Sequence, residues 1–123
     1  MKTKYSKYYI NIGLLLMIFF MSSCYYDQVL PVEIEGDISY SIDIQPIFDA
    51  KCVSCHNGGG IPLDLSSGTS YDKLFSGNYI NAADPSNSSL YTKINTGGSM
   101  EPYASDTDRA TILKWIEQGA NNN

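Results

Sequence analysis

Cys52-Val53-Ser54-Cys55-His56 puts two thiols and the chain's single histidine into five residues. Residues of these types at this spacing serve three chemistries: a redox dithiol, a zinc site, or covalent attachment of a haem. A structural zinc site takes four ligands, usually in two Cys or His pairs. Once Cys24 is set aside, for reasons given below, Cys52, Cys55 and His56 are the only residues of that kind, so a carboxylate would have to complete the set. The adjacency of Cys55 and His56 also suits one tetrahedral ion poorly. A thioredoxin-like dithiol stands at the start of a helix in a βαβ setting, and no strand series surrounds this pair. Cys-x-x-Cys-His is the spacing of haem attachment. Two thiols one helical turn apart reach the two vinyl groups of one porphyrin edge, and the histidine that follows points beneath the ring as an iron ligand.

The second axial position calls for another soft or nitrogenous donor. Met1, Met17 and Met21 fall in an N-terminal segment that reads as a removable signal, which leaves Met100. It lies in Gly97-Gly98-Ser99-Met100-Glu101-Pro102, where glycines permit close backbone approach and Pro102 stiffens the return. Most methionines are core fillers. This one sits in a polar loop and not on an apolar stripe, which favours ligation by its sulfur. Pro62 offers a backbone carbonyl that could orient the His56 ring. Phe48, Leu90, Tyr91 and Trp115 are candidates to wall a haem, and Tyr79, Lys93 and Tyr103 candidates to meet its propionates.

The N-terminus supplies the compartment that haem attachment needs. Lys2, Lys4 and Lys7 precede the apolar run Ile12 to Met21, which is short for a membrane span. Met21-Ser22-Ser23-Cys24 then resembles a bacterial lipobox, which makes residues 1–23 a signal peptide and Cys24 a lipidated first residue. The whole chain of 123 residues carries 8 basic and 13 acidic side chains. Removal of residues 1–23 takes three lysines away and leaves five against thirteen, a net charge of −8. Nucleic acid is excluded as a partner by that balance. A protein partner with a basic face suits it. Residues 24–40, with Pro31, Glu33, Glu35 and Asp37, read as an acidic tether.

Helical signals dominate from Ser41 onward. Ile44, Ile47, Phe48 and Cys52 share one face, with Pro46 near the helix start, so the Cys-His cluster falls at a helix C-terminus. Residues 57–70 read as loop, followed by a helical turn over Tyr71 to Phe75. Asp84-Pro85 predicts a helix opening there and running to about Ile94. Ser105 and Asp108 form a capping-box pattern before a last helix with Ile112, Leu113 and Ile116 on its stripe and Trp115 on the flank. Gly119 stops it, and residues 121–123 read as a frayed, disordered tail. The expected fold is all-α, with three to four short helices and long loops over 41–120. A domain this small and loop-rich needs a staple, a metal or a cofactor to complete its core.

Residues 41–120 resemble small bacterial class I-like cytochromes c, monohaem domains with an Ile-Gln-Pro-Ile-Phe helix before the haem motif. The matching segments are Ile44-Gln45-Pro46-Ile47-Phe48, Cys52-Val53-Ser54-Cys55-His56, Leu63-Asp64-Leu65, Ser89-Leu90-Tyr91, Met100-Glu101-Pro102 and Trp115-Ile116-Glu117-Gln118-Gly119-Ala120. Family members usually carry Met-Pro-Pro where this chain has Met100-Glu101-Pro102. The resemblance implies a cytochrome c-like fold with its first and last helices packed beside one covalent haem c. Cys52 and Cys55 would hold the haem, and His56 and Met100 would bind its iron. The expected function is one-electron transfer between redox proteins by a lipid-anchored, exported monomer facing the periplasm or the cell exterior. Such a carrier is not an enzyme, though it could be a subunit of a larger oxidoreductase complex. The alternative is a haem-based small-ligand sensor or peroxidase-like enzyme in which the sixth ligand is labile.

Overall fold

The computed structural model describes residues 32–123. Cys24, the segment read as a signal peptide and the first part of the expected tether, to residue 31, lie outside the described residues. Ser39 opens the first helical segment: its hydroxyl accepts from the Ile42 N–H, and its own N–H is taken by the Asp43 carboxylate at 2.8 Å. A π-helical turn over Tyr40–Ile44 runs directly into α1, Gln45–Lys51. Pro46 sits in the first turn of α1, where its missing N–H has no intrahelical partner to lose. After a long loop come α2 (Ser70–Ser76), a 3-10 turn at Pro85–Asn87, α3 (Ser89–Ile94), a second 3-10 turn at Glu101–Tyr103, and α4 (Asp106–Glu117). Among the described residues there is no strand, and no helix is long and apolar enough to cross a membrane. The described domain is all-α.

The last helix forms as its sequence predicts. The Ser105 hydroxyl accepts from the Asp108 N–H while the Asp108 carboxylate accepts from the Ser105 N–H, a complete capping box. Gly119, at φ +97°, carries the chain out of the helix. The buried face differs from the predicted stripe. Trp115 is at its centre and fully inaccessible, beside Ile112 and Ile116, whereas Leu113 is half exposed. The indole N–H donates to the Asn121 carbonyl at 3.0 Å, so the ring can be buried without stranding its one polar atom.

Tyr40 packs its ring 5.2 Å from Trp115 and 5.1 Å from Tyr71, centroid to centroid. Together with Ile44, Phe48, Leu74 and Ile116 this makes the core. A buried polar chain ties three segments together. The Tyr40 hydroxyl donates to Ser70 Oγ at 2.6 Å, Ser70 donates to Gln45 Oε1, and Gln45 Nε2 donates to the carbonyl of Leu65 and the carboxylate of Asp49. Burial pushes the Tyr40 hydroxyl above its ordinary value, against the opposing bond to Ser70, so it remains a donor. No buried side-chain polar atom among the described residues lacks a partner.

Three expectations require correction. The ordered domain begins before Ser41: Ile38 and Tyr40 are buried, and the Ile38 N–H donates to Gln118 Oε1. The apolar side chains of a segment read as tether find room against α4. The tail is not frayed. Asn123 O accepts from the Ser41 N–H and from both the Ser39 and Ser41 hydroxyls, and Asn123 Oδ1 accepts from the Tyr40 N–H. The helix expected from Asp84 to Ile94 is broken at Ser88, whose backbone is extended. Ser88 is fully buried, and its hydroxyl accepts from the Asn81 N–H at 2.9 Å. That tie outweighs continuation of the helix, since an interior helical turn would turn this side chain away from Asn81.

Lys51, in the last turn of α1, pairs with Asp108 in the first turn of α4. Both charges complement their helix dipoles. Burial pushes the Asp108 carboxyl up, but hydrogen bonds from Lys51 and Ser105 more than reverse it, leaving it below the usual carboxylate range. A carboxyl depressed on folding stabilises above its unfolded-state value and loses that contribution as pH falls through the folded one. Denaturant unfolding from neutral pH to pH 2 should therefore show Asp108→Asn less stable at neutral pH and flatter in acid. Ser105→Ala should lower stability by about 1 kcal/mol at neutral pH.

Candidate functional site

The backbone turns back on itself from the end of α1. Cys52 is the C-cap, its N–H bonded to the Phe48 carbonyl at 2.8 Å. The N–H groups of Cys55 and His56 both donate to the Cys52 carbonyl, at 3.1 and 2.8 Å. These bonds coil Cys52 to His56 into one compact turn. Both thiols and the imidazole line the same cavity, of about 480 Å³, which falls within the ~300–1,000 Å³ range of small-molecule and cofactor sites. Cys52 and Cys55 are separate thiols, Cys52 half-buried and Cys55 exposed. Burial pushes the Cys52 thiol up, and the nearby Asp108 carboxylate adds to the shift, against Lys51.

The orientation of His56 is fixed by the loop that follows. Its Nδ1 lies 3.1 Å from the carbonyl of Pro62 and 3.1 Å from that of Leu63. Carbonyls only accept, so Nδ1 carries the hydrogen and Nε2 is left with its lone pair available. The expectation for Pro62 agrees with this geometry, but the second carbonyl was not legible in advance. Leu63 has φ +73°, a left-handed conformation that costs a residue with a Cβ about 1–2 kcal/mol. The reversal is held from both sides: the Leu65 N–H donates to the His56 carbonyl at 2.8 Å, and the Ser66 N–H to the Asp64 carboxylate at 2.9 Å. Nothing in Ile61-Pro62-Leu63 as a sequence signals a left-handed leucine.

Met100 lines the same cavity from the loop after α3, and is 37% exposed. Its N–H donates to the Lys93 carbonyl at 2.7 Å. That approach depends on Gly98, where a Cβ would lie 2.3 Å from the Lys93 carbonyl oxygen and 2.4 Å from that of Thr92. Gly97, at φ +81°, turns the chain into the loop.

The rest of the lining is largely apolar. Ile47 and Phe48 come from α1, Leu90 and Ile94 from α3, and Ile112 from α4, so the first and last helices both face the cavity. Ile61, Leu63, Leu65 and Ala104 add loop contacts, and Lys51 and Lys93 bring positive charge. Tyr79, Lys93 and Tyr103 are at the cavity as expected. Trp115 and Tyr91 are not. Trp115 is drawn into the aromatic core with Tyr40 and Tyr71. Asp106 pairs with Arg109, and Asp108 with Lys51, both within or beside the first turn of α4.

The arrangement can be tested against a haem. A mostly apolar cleft, two adjacent thiols, an imidazole with its tautomer fixed and a thioether all border one space, with Lys93 at its edge. This donor set fits the group. Among the described residues, no three of His, Cys, Asp and Glu converge as a metal-ion site. No protein-family model, curated protein or solved structure matches the chain, so the site stands on its own geometry.

Two outcomes follow. In the unmodified polypeptide, iodoacetamide should alkylate Cys55 well ahead of Cys52, as read by peptide mass mapping, because Cys52 is shielded and its thiolate disfavoured. Gly98→Ala should force the Met100 loop off the end of α3 and cost about 1–3 kcal/mol in denaturant unfolding.

Proposed function

We propose that this domain is a monohaem c-type cytochrome that carries one electron between redox proteins, with a cytochrome c-like fold. The observation that carries the reading is the convergence of Cys52, Cys55, His56 and Met100 on one largely apolar cavity of about 480 Å³. Bound there, a haem would supply an iron that alternates between ferric and ferrous and so accepts and donates one electron.

The chain's own residues then have separable tasks. Cys52 and Cys55 would hold the group through thioether bonds, which would make it a permanent part of the domain. His56 would bind the iron through Nε2; its Nδ1–H is directed at the Pro62 and Leu63 carbonyls, and that hydrogen bonding makes the imidazole a better donor and stops the ring from rotating. Met100 would offer its thioether sulfur to the same iron, a donor that favours the reduced state and raises the potential. Phe48, Leu65, Leu90, Ile94 and Ile112 keep water from the cavity wall. A dry wall also favours the less charged, reduced form. With His56 and Met100 both binding the iron, no ligand would need to be gained or lost between oxidation states. Lys93 and Tyr79 stand at the cavity where propionates could be bonded.

Ile61, Met100 and Tyr103 are exposed apolar residues that also line the cavity. They make the natural contact point for a redox partner, and the acidic balance of the chain suits a partner with a basic face. Lipid on Cys24 would hold the domain at a bacterial membrane, facing the periplasm or cell exterior, and raise its effective concentration near membrane-bound partners.

One observation favours a second reading. Met100 is 37% exposed, and a ligand so placed could yield to a small molecule, as in a haem-based sensor or peroxidase-like enzyme. Optical spectra of the haem-loaded domain separate the two. The carrier reading predicts sharp low-spin bands, a far-red methionine–iron band in the ferric form, and no response of the ferrous form to carbon monoxide. Met100→Ala should abolish the far-red band and admit carbon monoxide. A wild-type spectrum that is high-spin and shifts with carbon monoxide would favour the sensor or enzyme.

A further inference from the structure

We infer that Glu101 and Arg109 are positioning residues for Met100, closing its loop into a clamped ring. The inference rests on the reading of Met100 as an iron ligand. An exposed methionine has no tight apolar pocket to fix its sulfur, and its side chain has three rotatable bonds. Its placement must come from the backbone that bears it.

That backbone is tied on both sides of Met100. Upstream, the Gly97 N–H donates to Glu101 Oε2 at 2.7 Å, so the residue after Met100 reaches back across it and closes the loop. The Glu101 N–H also donates to the Gly98 carbonyl at 3.2 Å. Proline, the residue usual here in the resembled pattern, could make neither bond. Downstream, Arg109 of α4 donates from Nη1 to the Ala104 carbonyl at 2.8 Å, with the carbonyls of Glu101 and Ile94 each at 3.5 Å. One guanidinium thus bridges the end of α3, the loop and the last helix. Its other arm is occupied by Asp106, and its side chain is only 14% exposed, so the fork is held in place. The Met100 N–H to Lys93 carbonyl bond completes the ring.

The test uses the haem-loaded domain and three substitutions: Glu101→Ala, Glu101→Gln and Arg109→Met. Glutamine keeps an acceptor for the Gly97 N–H, and methionine keeps the stem of Arg109 without its donors. Amide exchange at Gly97 and Met100 reads the ring directly. The temperature at which the far-red ferric band is lost, set against the helix-unfolding temperature of the same variant, reads its effect on the sulfur. Glu101→Ala should speed exchange at Gly97 about tenfold or more. In Glu101→Ala and Arg109→Met the band should vanish well below helix unfolding, while in Glu101→Gln the two should stay as in the unsubstituted protein. Unchanged exchange in Glu101→Ala would overturn the inference. So would band and helices melting together in both variants, or Glu101→Gln behaving like Glu101→Ala. Absence of the band from the unsubstituted protein would overturn the His56/Met100 reading and this inference with it, whatever the exchange rates.

Discussion

Two carbonyl oxygens hold the His56 ring, and much of the site's construction answers to them. To bring the Pro62 and Leu63 carbonyls within 3.1 Å of Nδ1, the chain after the Cys-His cluster must reverse within a few residues. It does so through a left-handed leucine at φ +73°. Strain of this kind persists only where surrounding contacts over-determine it. Here the Leu65 N–H bonded to the His56 carbonyl closes the reversal, and buried Leu65 anchors it to the core. The Leu65 carbonyl in turn accepts from Gln45 on α1. The histidine's tautomer is thus connected, bond by bond, to the helix that leads into the cysteines.

The domain divides its work between a packed side and a cavity side. On the packed side, Trp115, Tyr40 and Tyr71 pack against Ile44 and Leu74; the Tyr40–Ser70–Gln45 chain satisfies one set of buried polar atoms, while the Trp115 indole N–H and the Tyr71 hydroxyl donate to the carbonyls of Asn121 and Ala120. Phe48 belongs to both sides: it is 1% exposed, it meets Tyr40 at 6.4 Å, and it lines the cavity. Ile112 plays the same part on α4. Short helices of six or seven residues are not stable alone. What keeps α1, α2 and α3 in place is this shared packing, together with side-chain ties such as Lys51–Asp108.

Much of this was legible in the sequence where one local rule decides the outcome. The Ser105/Asp108 capping box, Pro46 in the first turn of α1 and Gly119 after α4 appear where pattern places them, because each depends on neighbours within four residues. The cavity residues Cys52, Cys55, His56 and Met100 were also legible, from residue type and loop context. What escaped depends on distant partners. Ser88 breaks a helix to reach Asn81, Trp115 turns away from the cavity toward Tyr40 and Tyr71, and Asn123 is held by Ser39 and Ser41 from the other end of the domain. Leu63 escaped for another reason: nothing in its type suggests a positive φ, and only the demand of the His56 ring explains it.

As the proposed c-type cytochrome, the domain would bind a haem covalently through Cys52 and Cys55. The most direct measurement is the intact mass of the protein made alongside haem-attachment machinery, followed by mapping of the peptide that carries Cys52 and Cys55. The expected result is the mass of one haem added, located on that peptide, with neither thiol left free to alkylate. A domain of unmodified mass, with both cysteines alkylated after reduction, would contradict it.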